Sequence, residues 1–367
     1  MNNQHLTLYC PKCGAEYIAS VKLSKCPKCG EPLLVRNKRH PFSIIQHERI
    51  YLGEGDTPVV QKKNIFFKLE YLNPSGSFKD RGAALAVSIA SQEGVEKIVE
   101  DSSGNAGLSY SLYGKAARIR VKVYVPMDIP SGKYRLMKAL GAEVIKQGNR
   151  DEAHIAALSD KDGVYVGHTI QPFFLEGIKS IAWEAVEEIG NDRLKEISFL
   201  IPVASGTLFL GIYKGFKDLM EQGVIDVFPR FIAVQACGYS YLTRYPGIRI
   251  RNISCHTPTK FGDALRITVG ERSGQIYNAL IESHGEVMVI GDEPAIKAYR
   301  ELLSQGFIVE PSSAFAYAAA KELLKENEVT EVYIPLTGSG LKILPTELEI
   351  VNLLIENLPR DKVKIIN

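Results

Sequence analysis

The sequence predicts an α/β protein with two doubly wound parallel sheets and a small cysteine-rich segment in front of them. Three observations support this. The chain has 367 residues, more than one hydrophobic core usually holds. Short β-rich runs alternate with helical patterns from about residue 85, a rhythm typical of parallel strands joined by crossover helices. Four of the six cysteines lie in two close pairs near the N-terminus.

The cysteine-rich segment, YCPKCGAEYIASVKLSKCPKCGEPLL, predicts a structural zinc site formed by Cys10, Cys13, Cys26 and Cys29. A glycine closes each CPKCG knuckle and permits the positive φ that turns backbone amides toward sulfur. We interpret the pairs as a metal site in a reducing compartment rather than a disulfide framework. The alternative is two reduced cysteine pairs in a ribbon that folds without metal. We expect the ribbon to be too small to share the main core.

The α/β elements follow in order along the chain. The predicted strands are KIVED, VKVYVP, AEVIKQ, VYVGH, ISFLIPVAS, RFIAVQA, VMVIGD and EVYIPLTGS. The predicted helices are GLSYSLYGKAA, GKYRLMKALG, EGIKSIAWEAVEEIG, TLFLGIYKGFKDLMEQG and EPAIKAYRELLSQG. Because helices alternate with strands, the strands are expected to be parallel.

Composition and charge exclude several classes of protein. Apolar residues make up 45% and charged residues 23%, as in ordinary globular proteins. The net charge of +2 argues against a nucleic acid or an anionic membrane as the main partner. No signal-like N-terminal stretch and no run of about eighteen apolar residues is present. We therefore expect a cytoplasmic protein without a nucleic-acid or membrane partner.

Four loops rich in small residues stand out, since ligands in open α/β sheets bind beyond the carboxyl ends of strands. The loops are NPSGSFKDRG (73–82), DSSGNAGLS (101–109), PVASGTLFLG (202–211) and LTGSGLK (336–342). Ser205, Gly206 and Thr207 form a candidate phosphate cradle at a helix start. Small neighbours leave Lys79 sterically open, which suits a nucleophilic lysine with a depressed pKa.

Taken together and in this order, the loops resemble those of fold-type II pyridoxal 5'-phosphate (PLP) enzymes, which are tryptophan synthase β-like, and within them the threonine synthase family. The segments VEPSSAFAYAA, QPFFLEGIKSIAWE and the leading ribbon are also similar, and the resemblance spans about residues 50–345. It implies that Lys79, beside Phe78, forms the internal Schiff base and that Asn105 contacts the cofactor 3′-oxygen. The implied ligands of the cofactor phosphate are Ala204, Ser205, Gly206, Thr207 and Leu208.

The resemblance also implies that Thr337 meets the pyridine nitrogen. A hydroxyl cannot protonate that nitrogen as an aspartate would, so elimination and replacement are favoured over transamination. We predict a zinc-ribbon-like segment at 1–38, a large PLP-binding domain at 39–84 and 182–367, and a smaller mobile α/β domain at 85–181. The family suggests a homodimer that acts on a small amino-acid substrate.

The chain departs from the threonine synthase pattern at two places. ASGTL stands where the family usually carries asparagines, and Phe174 stands where an arginine generally follows the NP dipeptide. Phenylalanine cannot replace arginine as a phosphate ligand. We therefore consider Lys133, Arg135 and Arg81 as ligands of a substrate phosphate, with a solvated Lys133 as the alternative.

Further candidates for substrate binding are a carboxylate nest at Ser102, Ser103, Gly104 and Asn105, and a contact from His168. The structural alternatives stay open. Lys79 would then be a surface charge, Asn105 a helix N-cap, Thr337 a turn hydroxyl and His168 a structural histidine.

The predicted activity is that of a PLP-dependent carbon–oxygen lyase in amino-acid biosynthesis. In it, O-phosphohomoserine and water give threonine and phosphate, with Lys79 shuttling protons. One alternative is β-elimination or β-replacement on serine, threonine or O-phosphoserine, as in a dehydratase or a cysteate or cysteine synthase. Another is a non-catalytic PLP-binding body with a zinc-ribbon docking module, whose nucleic-acid version the near-neutral charge disfavours.

Overall fold

The computed structural model describes residues 6–129 and 131–342. Residues 343–367 of the predicted large domain and residues 1–5 of the predicted ribbon therefore lie outside the described residues. The strands in chain order are β1 (Thr7–Tyr9), β2 (Glu16–Ile18), β3 (Leu34–Val35), β4 (Val59–Lys62), β5 (Ile65–Lys68), β6 (Lys97–Glu100), β7 (Arg120–Val125), β8 (Glu143–Lys146), β9 (Val164–Tyr165), β10 (Ile197–Pro202), β11 (Arg230–Ala236), β12 (Arg249–Ile253), β13 (Glu286–Ile290) and β14 (Glu331–Pro335).

Helices connect most of these strands, as the alternating pattern predicts. The helices in chain order are α1 (Lys79–Gln92), α2 (Asn105–Ala116), α3 (Ser131–Ala139), α4 (Arg150–Ser159), α5 (Pro172–Ile178), α6 (Ser180–Ile189), α7 (Thr207–Glu221), α8 (Ser273–Glu282), α9 (Asp292–Ser304) and α10 (Pro311–Lys325). Within the described ranges, no helix is both long enough and apolar enough to cross a membrane.

The larger sheet has the strand order β12-β13-β11-β10-β14-β5-β4 and is parallel except for the β4 edge. Strands β10 and β13 of this sheet are buried along their whole length because helices cover both faces. Phe199 and Ile201 of β10 pack with α7 and its neighbours, whereas Leu200 belongs to the core on the α10 face. This alternation is the period of two that a strand imposes on its side chains.

The smaller sheet is parallel throughout, with the order β8-β7-β6-β9. Helix α1 packs against both α2 and α5 and thus joins the smaller sheet to the body of the larger one. Three adjacent strands of the larger sheet, β10, β14 and β5, lead into the loops that contain the candidate cradle, Thr337 and Lys79. Their carboxyl ends share one edge, which brings those loops side by side.

The ribbon is a three-stranded antiparallel sheet of order β2-β1-β3. Leu8, Val21 and Leu33 are fully buried and belong to the same apolar cluster as the α/β body. The expectation that the ribbon is too small to share the main core is therefore wrong. Its apolar side chains lie between its own strands and α5, so neither part covers them alone.

Two further features differ from the sequence analysis. The segment predicted as one helix, EGIKSIAWEAVEEIG, falls in two helices that meet at Lys179, whose fully buried ammonium binds Glu176 and Asp218. The two cysteines outside the ribbon, Cys237 and Cys255, form a disulfide that the sequence analysis did not predict. It joins the end of β11 to the segment after β12.

Candidate active site

Lys79 is the first residue of α1, and its preceding loop is fixed against the TGSG loop. The Phe78 N–H donates to the Thr337 carbonyl at 3.1 Å, and Ser77 pairs with Gly338 as an isolated β-bridge. The Lys79 ammonium lies 4.7 Å from the Phe78 ring centroid and 5.6 Å from that of Phe174. In the described part of the chain it makes no hydrogen bond or ion pair. Burial lowers the pKa of Lys79 to about 8, against the opposing charges of nearby carboxylates.

A polar cluster surrounds Asn105, the first residue of α2. Its amide N–H donates to Glu310 Oε2 at 2.7 Å, and its Oδ1 accepts from Lys342 Nζ at 2.7 Å. Lys133 Nζ lies 3.3 Å from the other Glu310 oxygen. Burial raises the pKa of Glu310, but Lys133 and Lys342 outweigh it and hold the pKa below its ordinary value. The cluster thus combines two ammonium groups with one carboxylate.

Sequence analysis missed Glu310 and Lys342, although both lie in segments it singled out, VEPSS and TGSGLK. Lys342 also donates to the Gly76 carbonyl at 2.8 Å. It therefore ties the loop that contains Lys79 (73–82, the lysine loop) to Asn105. Burial lowers the pKa of Lys342 to about 8. The sequence did contain a signal for Lys342, because a charged residue at the end of a glycine-rich loop after a strand is a candidate ligand.

Thr337 lies buried at the carboxyl end of β14. Its hydroxyl oxygen is 3.1 Å from the Ser312 hydroxyl and 3.2 Å from that of Ser313 at the start of α10. Its backbone N–H donates to Ser313 Oγ at 2.9 Å. Three hydroxyls therefore meet beside the lysine loop, and among the described residues no carboxylate binds the Thr337 hydroxyl.

The β10–α7 connection has the geometry of an anion cradle. Gly206 has φ +88°, a left-handed conformation that L side chains rarely adopt, and it immediately precedes α7. The first helical bond there runs from the Leu210 N–H to the Gly206 carbonyl, so the preceding N–H groups, from Ser205 on, have no helical partner. The Thr207 hydroxyl is buried without a hydrogen-bond partner in the described chain. Unsatisfied donors at a helix start form a ready site for a phosphate.

Beside Lys79, the smaller sheet contributes a buried acid and a histidine. His168 follows β9, and its Nδ1 lies 2.7 Å from Glu100 Oε1 at the end of β6, while its backbone N–H donates to Glu100 Oε2 at 3.1 Å. Burial raises the pKa of Glu100 far above its ordinary value, and burial beside Lys79 lowers that of His168. Both shifts favour the neutral form of the group. The His168 ring also packs against the edge of Phe174.

The three candidate phosphate ligands lie in different environments. Lys133 is half-buried and reaches Glu310. Arg135 is exposed two positions further along α3, about 200° around the helix from Lys133. The structure does not bring it into the cluster. Arg81 is fully buried and held by Glu70 and Glu184, so the hypothesis that it binds substrate phosphate is wrong.

The remaining residues that the sequence analysis predicted for the site lie in two connections, β6–α2 and β10–α7. Ser102, Ser103 and Gly104 form the β6–α2 turn, in which the Ser102 hydroxyl accepts the Gly104 N–H at 3.2 Å. Ala204 is held through its carbonyl by the Tyr241 hydroxyl at 2.7 Å, and Leu208 is buried in the first turn of α7.

Comparisons with known proteins agree with this geometry. A family model described as pyridoxal-phosphate dependent enzyme matches residues 50–338. The chain belongs to this family. Its curated relatives include the threonine synthase of Halalkalibacterium halodurans, 31% identical over 332 residues that cover 85% of this chain and 89% of that protein. The threonine synthase of Methanocaldococcus jannaschii is also 31% identical and covers 80% of this chain and 76% of its own length.

Solved structures show that the fold is that of the fold-type II PLP enzymes. Threonine deaminase isoform 2 from Solanum lycopersicum superposes with a TM-score of 0.66 at 24% identity, covering 80% of this chain and 79% of its own. An O-ureido-L-serine synthase superposes with a TM-score of 0.66 at 18% identity, covering 86% and 96%. Together with the family and the curated relatives, the fold identifies the chain as a PLP-dependent lyase.

The site of this PLP-dependent lyase fits its cofactor on structural grounds. The unpaired Lys79 ammonium, the open N–H groups around Gly206 and the orphaned Thr207 hydroxyl are the three groups that an aldehyde and a phosphate would satisfy. The Thr337 hydroxyl sits on the neighbouring strand end, and Asn105 faces the lysine loop from the smaller sheet.

The four ribbon cysteines converge on one another. Their sulfur atoms all lie within 4.8 Å of one another, with Cys10 and Cys29 at 3.4 Å and Cys13 and Cys26 at 3.7 Å. Four thiolates around zinc, at Zn–S distances of about 2.3 Å, are about 3.8 Å apart. Gly14 and Gly30, which close the knuckles, have φ +72° and +76°, as the sequence analysis predicted. The cluster is compatible with a bound metal ion.

Proposed function

We propose that this PLP-dependent lyase converts O-phosphohomoserine and water into threonine and phosphate. The observation that carries the proposal is the convergence of Lys133 and Lys342 on Asn105 and Glu310 beside the lysine loop. The two ammonium groups supply charged hydrogen-bond donors that suit a phosphorylated substrate. The names of the curated relatives support the same reaction.

The chain's residues divide the binding of PLP among them. Lys79 would bind its aldehyde, the Ser205–Leu208 turn with Ala204 its phosphate, Asn105 its 3′-oxygen and Thr337 its ring nitrogen. Bound there, PLP supplies the electron-withdrawing ring that acidifies the substrate Cα–H. The hydroxyl of Thr337 accepts or donates a hydrogen bond but carries no charge, which favours elimination and replacement over transamination.

Lys79 is the proton carrier of the proposed reaction. A lysine with a pKa of about 8 is partly neutral near pH 7, so its amine accepts a proton and later returns it. Phe78 and Phe174 flank the ammonium and limit access of water on that side. The start of α2, from Ser102 to Asn105, offers backbone N–H groups to the substrate carboxylate.

Lys133 and Lys342 would bind the substrate phosphate and stabilise it as it leaves. A dianion arriving beside Lys342 opposes the effect of burial and raises the pKa of this lysine from about 8, so the ammonium form is favoured when substrate binds. Loss of one charged donor to a desolvated phosphate costs about 1.5–3 kcal/mol, or roughly ten- to a hundredfold in kcat/KM.

The experiment compares Lys133→Met and Lys342→Met with wild-type holoenzyme on phosphohomoserine, serine and threonine. We expect each variant to lose roughly ten- to a hundredfold in kcat/KM on phosphohomoserine and less than about threefold on the unphosphorylated substrates. Arg135→Met is the matched control, because Arg135 is a cation of the same helix that faces away from Lys133. It should behave like wild type on every substrate.

A wild-type enzyme that turns over serine faster than phosphohomoserine would replace this proposal with a β-elimination or β-replacement on serine, threonine or O-phosphoserine. That alternative needs Lys79 and the α2 N-terminus but neither Lys133 nor Lys342. Equal losses on all substrates in the Lys342→Met variant would show that this lysine supports the cofactor rather than the substrate phosphate.

We also propose that Cys10, Cys13, Cys26 and Cys29 bind one structural zinc ion, supported by the sulfur spacing and the four-thiolate donor set. Metal analysis of protein purified without chelator tests this, with one zinc per chain expected. The cytoplasmic location, the homodimer and the absence of nucleic-acid and membrane partners remain predictions from sequence.

A further inference from the structure

Arg272, directly before α8, is a fully buried guanidinium without an ion pair to any described carboxylate. It donates to backbone carbonyls instead, from Nε to Thr169 at 2.9 Å and from Nη2 to Ile170 at 2.7 Å and Leu33 at 3.2 Å. Its Nη1 donates to Gln275 Oε1 at 3.0 Å. Burial lowers the pKa of Arg272 to about 10. Burying a charge that only carbonyls and an amide oxygen bind is costly. We infer that the forked guanidinium of Arg272 serves to hold together the chain segments whose carbonyls it binds.

The carbonyls that Arg272 binds belong to two separate parts of the chain. Leu33 is in the ribbon, four residues after the last cysteine, whereas Thr169 and Ile170 lie in the connection between β9 and α5. The same junction contains a second bridge, because the Gln171 amide donates to the Val21 carbonyl of the ribbon at 2.9 Å. The ribbon therefore holds the 169–171 connection directly, through buried hydrogen bonds.

That connection leads to the catalytic lysine. His168 precedes Thr169 and is bound twice by Glu100, and its ring packs on Phe174, whose own ring centroid lies 5.6 Å from the Lys79 ammonium. A shift of the 169–170 backbone would therefore move the side chains next to Lys79.

Helix α8 leads from Arg272 to the other end of the site. A Cβ built on Gly206 would come within 2.1 Å of Ile276 Cδ1, so Ile276 packs directly on the backbone of the anion cradle. Tyr241, which binds the Ala204 carbonyl, also lies against Gly270, two residues before Arg272. One side chain thus touches the ribbon, the segment beside Lys79 and the helix behind the cradle.

We propose that Arg272 is a positioning residue that couples the folded state of the cysteine ribbon to the PLP site. When the ribbon is intact, Leu33 completes the set of carbonyls around Arg272 and fixes the 169–170 connection and α8 together. When the ribbon loosens, the guanidinium loses that acceptor and both sides of the cofactor site relax. The proposal rests on PLP binding and does not require the ribbon metal to be zinc.

The test is a double-mutant cycle with PLP affinity as the readout, measured by absorbance titration of full-length apoprotein. The ribbon is perturbed in two ways: by Leu8→Ala, which opens a cavity where the ribbon joins the shared apolar core, and by Cys29→Ser, which removes one sulfur of the cluster. We expect each to weaken PLP binding about fivefold or more in the wild-type background. In the Arg272→Gln background, which itself binds PLP less tightly, the same ribbon changes should add less than about twofold.

Lys25→Ala is the matched control. Its exposed ion pair with Glu271, at 2.9 Å, also joins the ribbon to the body but makes no contact with the 169–171 connection, so PLP affinity should stay within about twofold of wild type. Arg272→Lys keeps the charge with fewer donors, and should retain PLP affinity between those of wild type and Arg272→Gln. If Arg272→Gln does not fold, the cycle is run with Arg272→Lys.

Additive effects of the ribbon and Arg272 changes would overturn the proposal, as would ribbon variants that bind PLP like wild type. Metal content, measured in parallel, separates this outcome from failure of the zinc proposal. A wild-type protein without metal would refute the zinc site, while the Leu8→Ala arm would still decide the coupling.

Discussion

Arg81 provides a sharp test of the structure, because it lies two residues beyond Lys79, the proposed Schiff-base lysine, yet its guanidinium is bound by Glu70 and Glu184. Its Nε and Nη2 donate to the two Glu70 oxygens at 2.7 Å each, and Nη2 also donates to Glu184 Oε2 at 2.7 Å. Ser180 accepts from Nη1 at 2.8 Å. Arg81→Met removes the guanidinium at similar volume and leaves two carboxylates without their main partner.

The loss of folding stability expected in Arg81→Met follows from the pKa of Glu184. Burial raises this pKa, but the hydrogen bonds and charge of Arg81, with help from Lys68, lower it to about 2 from an ordinary value of 4.5. A shift of this size corresponds to about 3 kcal/mol of stability. Removal of one partner from a buried pair typically costs about 3–5 kcal/mol. For a chain of this length, we expect a fall in melting temperature of about 4–6 °C.

The pH dependence has a definite sign. In the wild type, Glu184 has a depressed folded pKa, so its contribution is present above about pH 4.5 and is lost as the pH falls toward 2. In Arg81→Met, the effect of burial on Glu184 is no longer opposed by Arg81, so the pKa of Glu184 rises above its wild-type value. The variant's deficit should then be largest at pH 8 and should shrink toward pH 5.5, as the folded state takes up protons.

Thermal unfolding of the apoprotein at pH 8, 7 and 5.5, followed by circular dichroism, measures this. Steady-state kinetics on phosphohomoserine at 20 °C, where the variant stays folded, should give KM within about threefold of wild type. A variant with unchanged melting temperature and a tenfold higher KM for the phosphorylated substrate would refute the reasoning and return Arg81 to the substrate site. Arg135→Met is the control, because it removes an exposed positive charge without affecting a buried ion pair.

Three further outcomes are expected. The rate of PLP uptake by apoprotein should rise about tenfold per pH unit and level off above pH 8, because the neutral Lys79 amine is the nucleophile. A pH-independent rate would contradict the depressed pKa of Lys79. The Lys79→Ala variant should show no borohydride-reducible linkage to PLP. Thr207→Val should weaken PLP binding about fivefold to tenfold in titration if its orphaned hydroxyl meets the cofactor phosphate, whereas unchanged affinity would show that it does not. Mercurial titration of the thiols should release one zinc per chain, and Cys10→Ser protein should contain none.

The features that local sequence predicted best are those whose cause lies within a few residues. The CPKCG spacing positions four sulfurs because each knuckle is a tight turn, and RFIAVQA is a strand because every position in it packs against a neighbour. The lowered pKa of Lys79 was predicted for the same reason, since the small residues before it shape its loop.

The features that sequence analysis missed or misjudged depend on distant partners. Arg81 seemed available for a substrate because Glu184, which binds it, lies about a hundred residues away. Glu310 meets Asn105 across 205 positions, and no local pattern reports that distance. Strand β12, RIRNI, was missed because it is a charged edge strand whose paired neighbour, β13, lies only on one side.

The shared core of the ribbon also has a consequence for synthesis of the chain. The ribbon leaves the ribosome before the α/β body, and the Arg272 side chain that binds the Leu33 carbonyl is added 239 residues later. At about 5–20 residues per second, the ribbon waits roughly 12–48 s for that partner. Until α5, which packs on the ribbon, and then Arg272 have been added, the four thiols must hold the ribbon, or stay reduced, without the body that later covers Leu8 and Val21. The cell's redox state during translation, rather than afterwards, is therefore the condition under which this end of the enzyme is made.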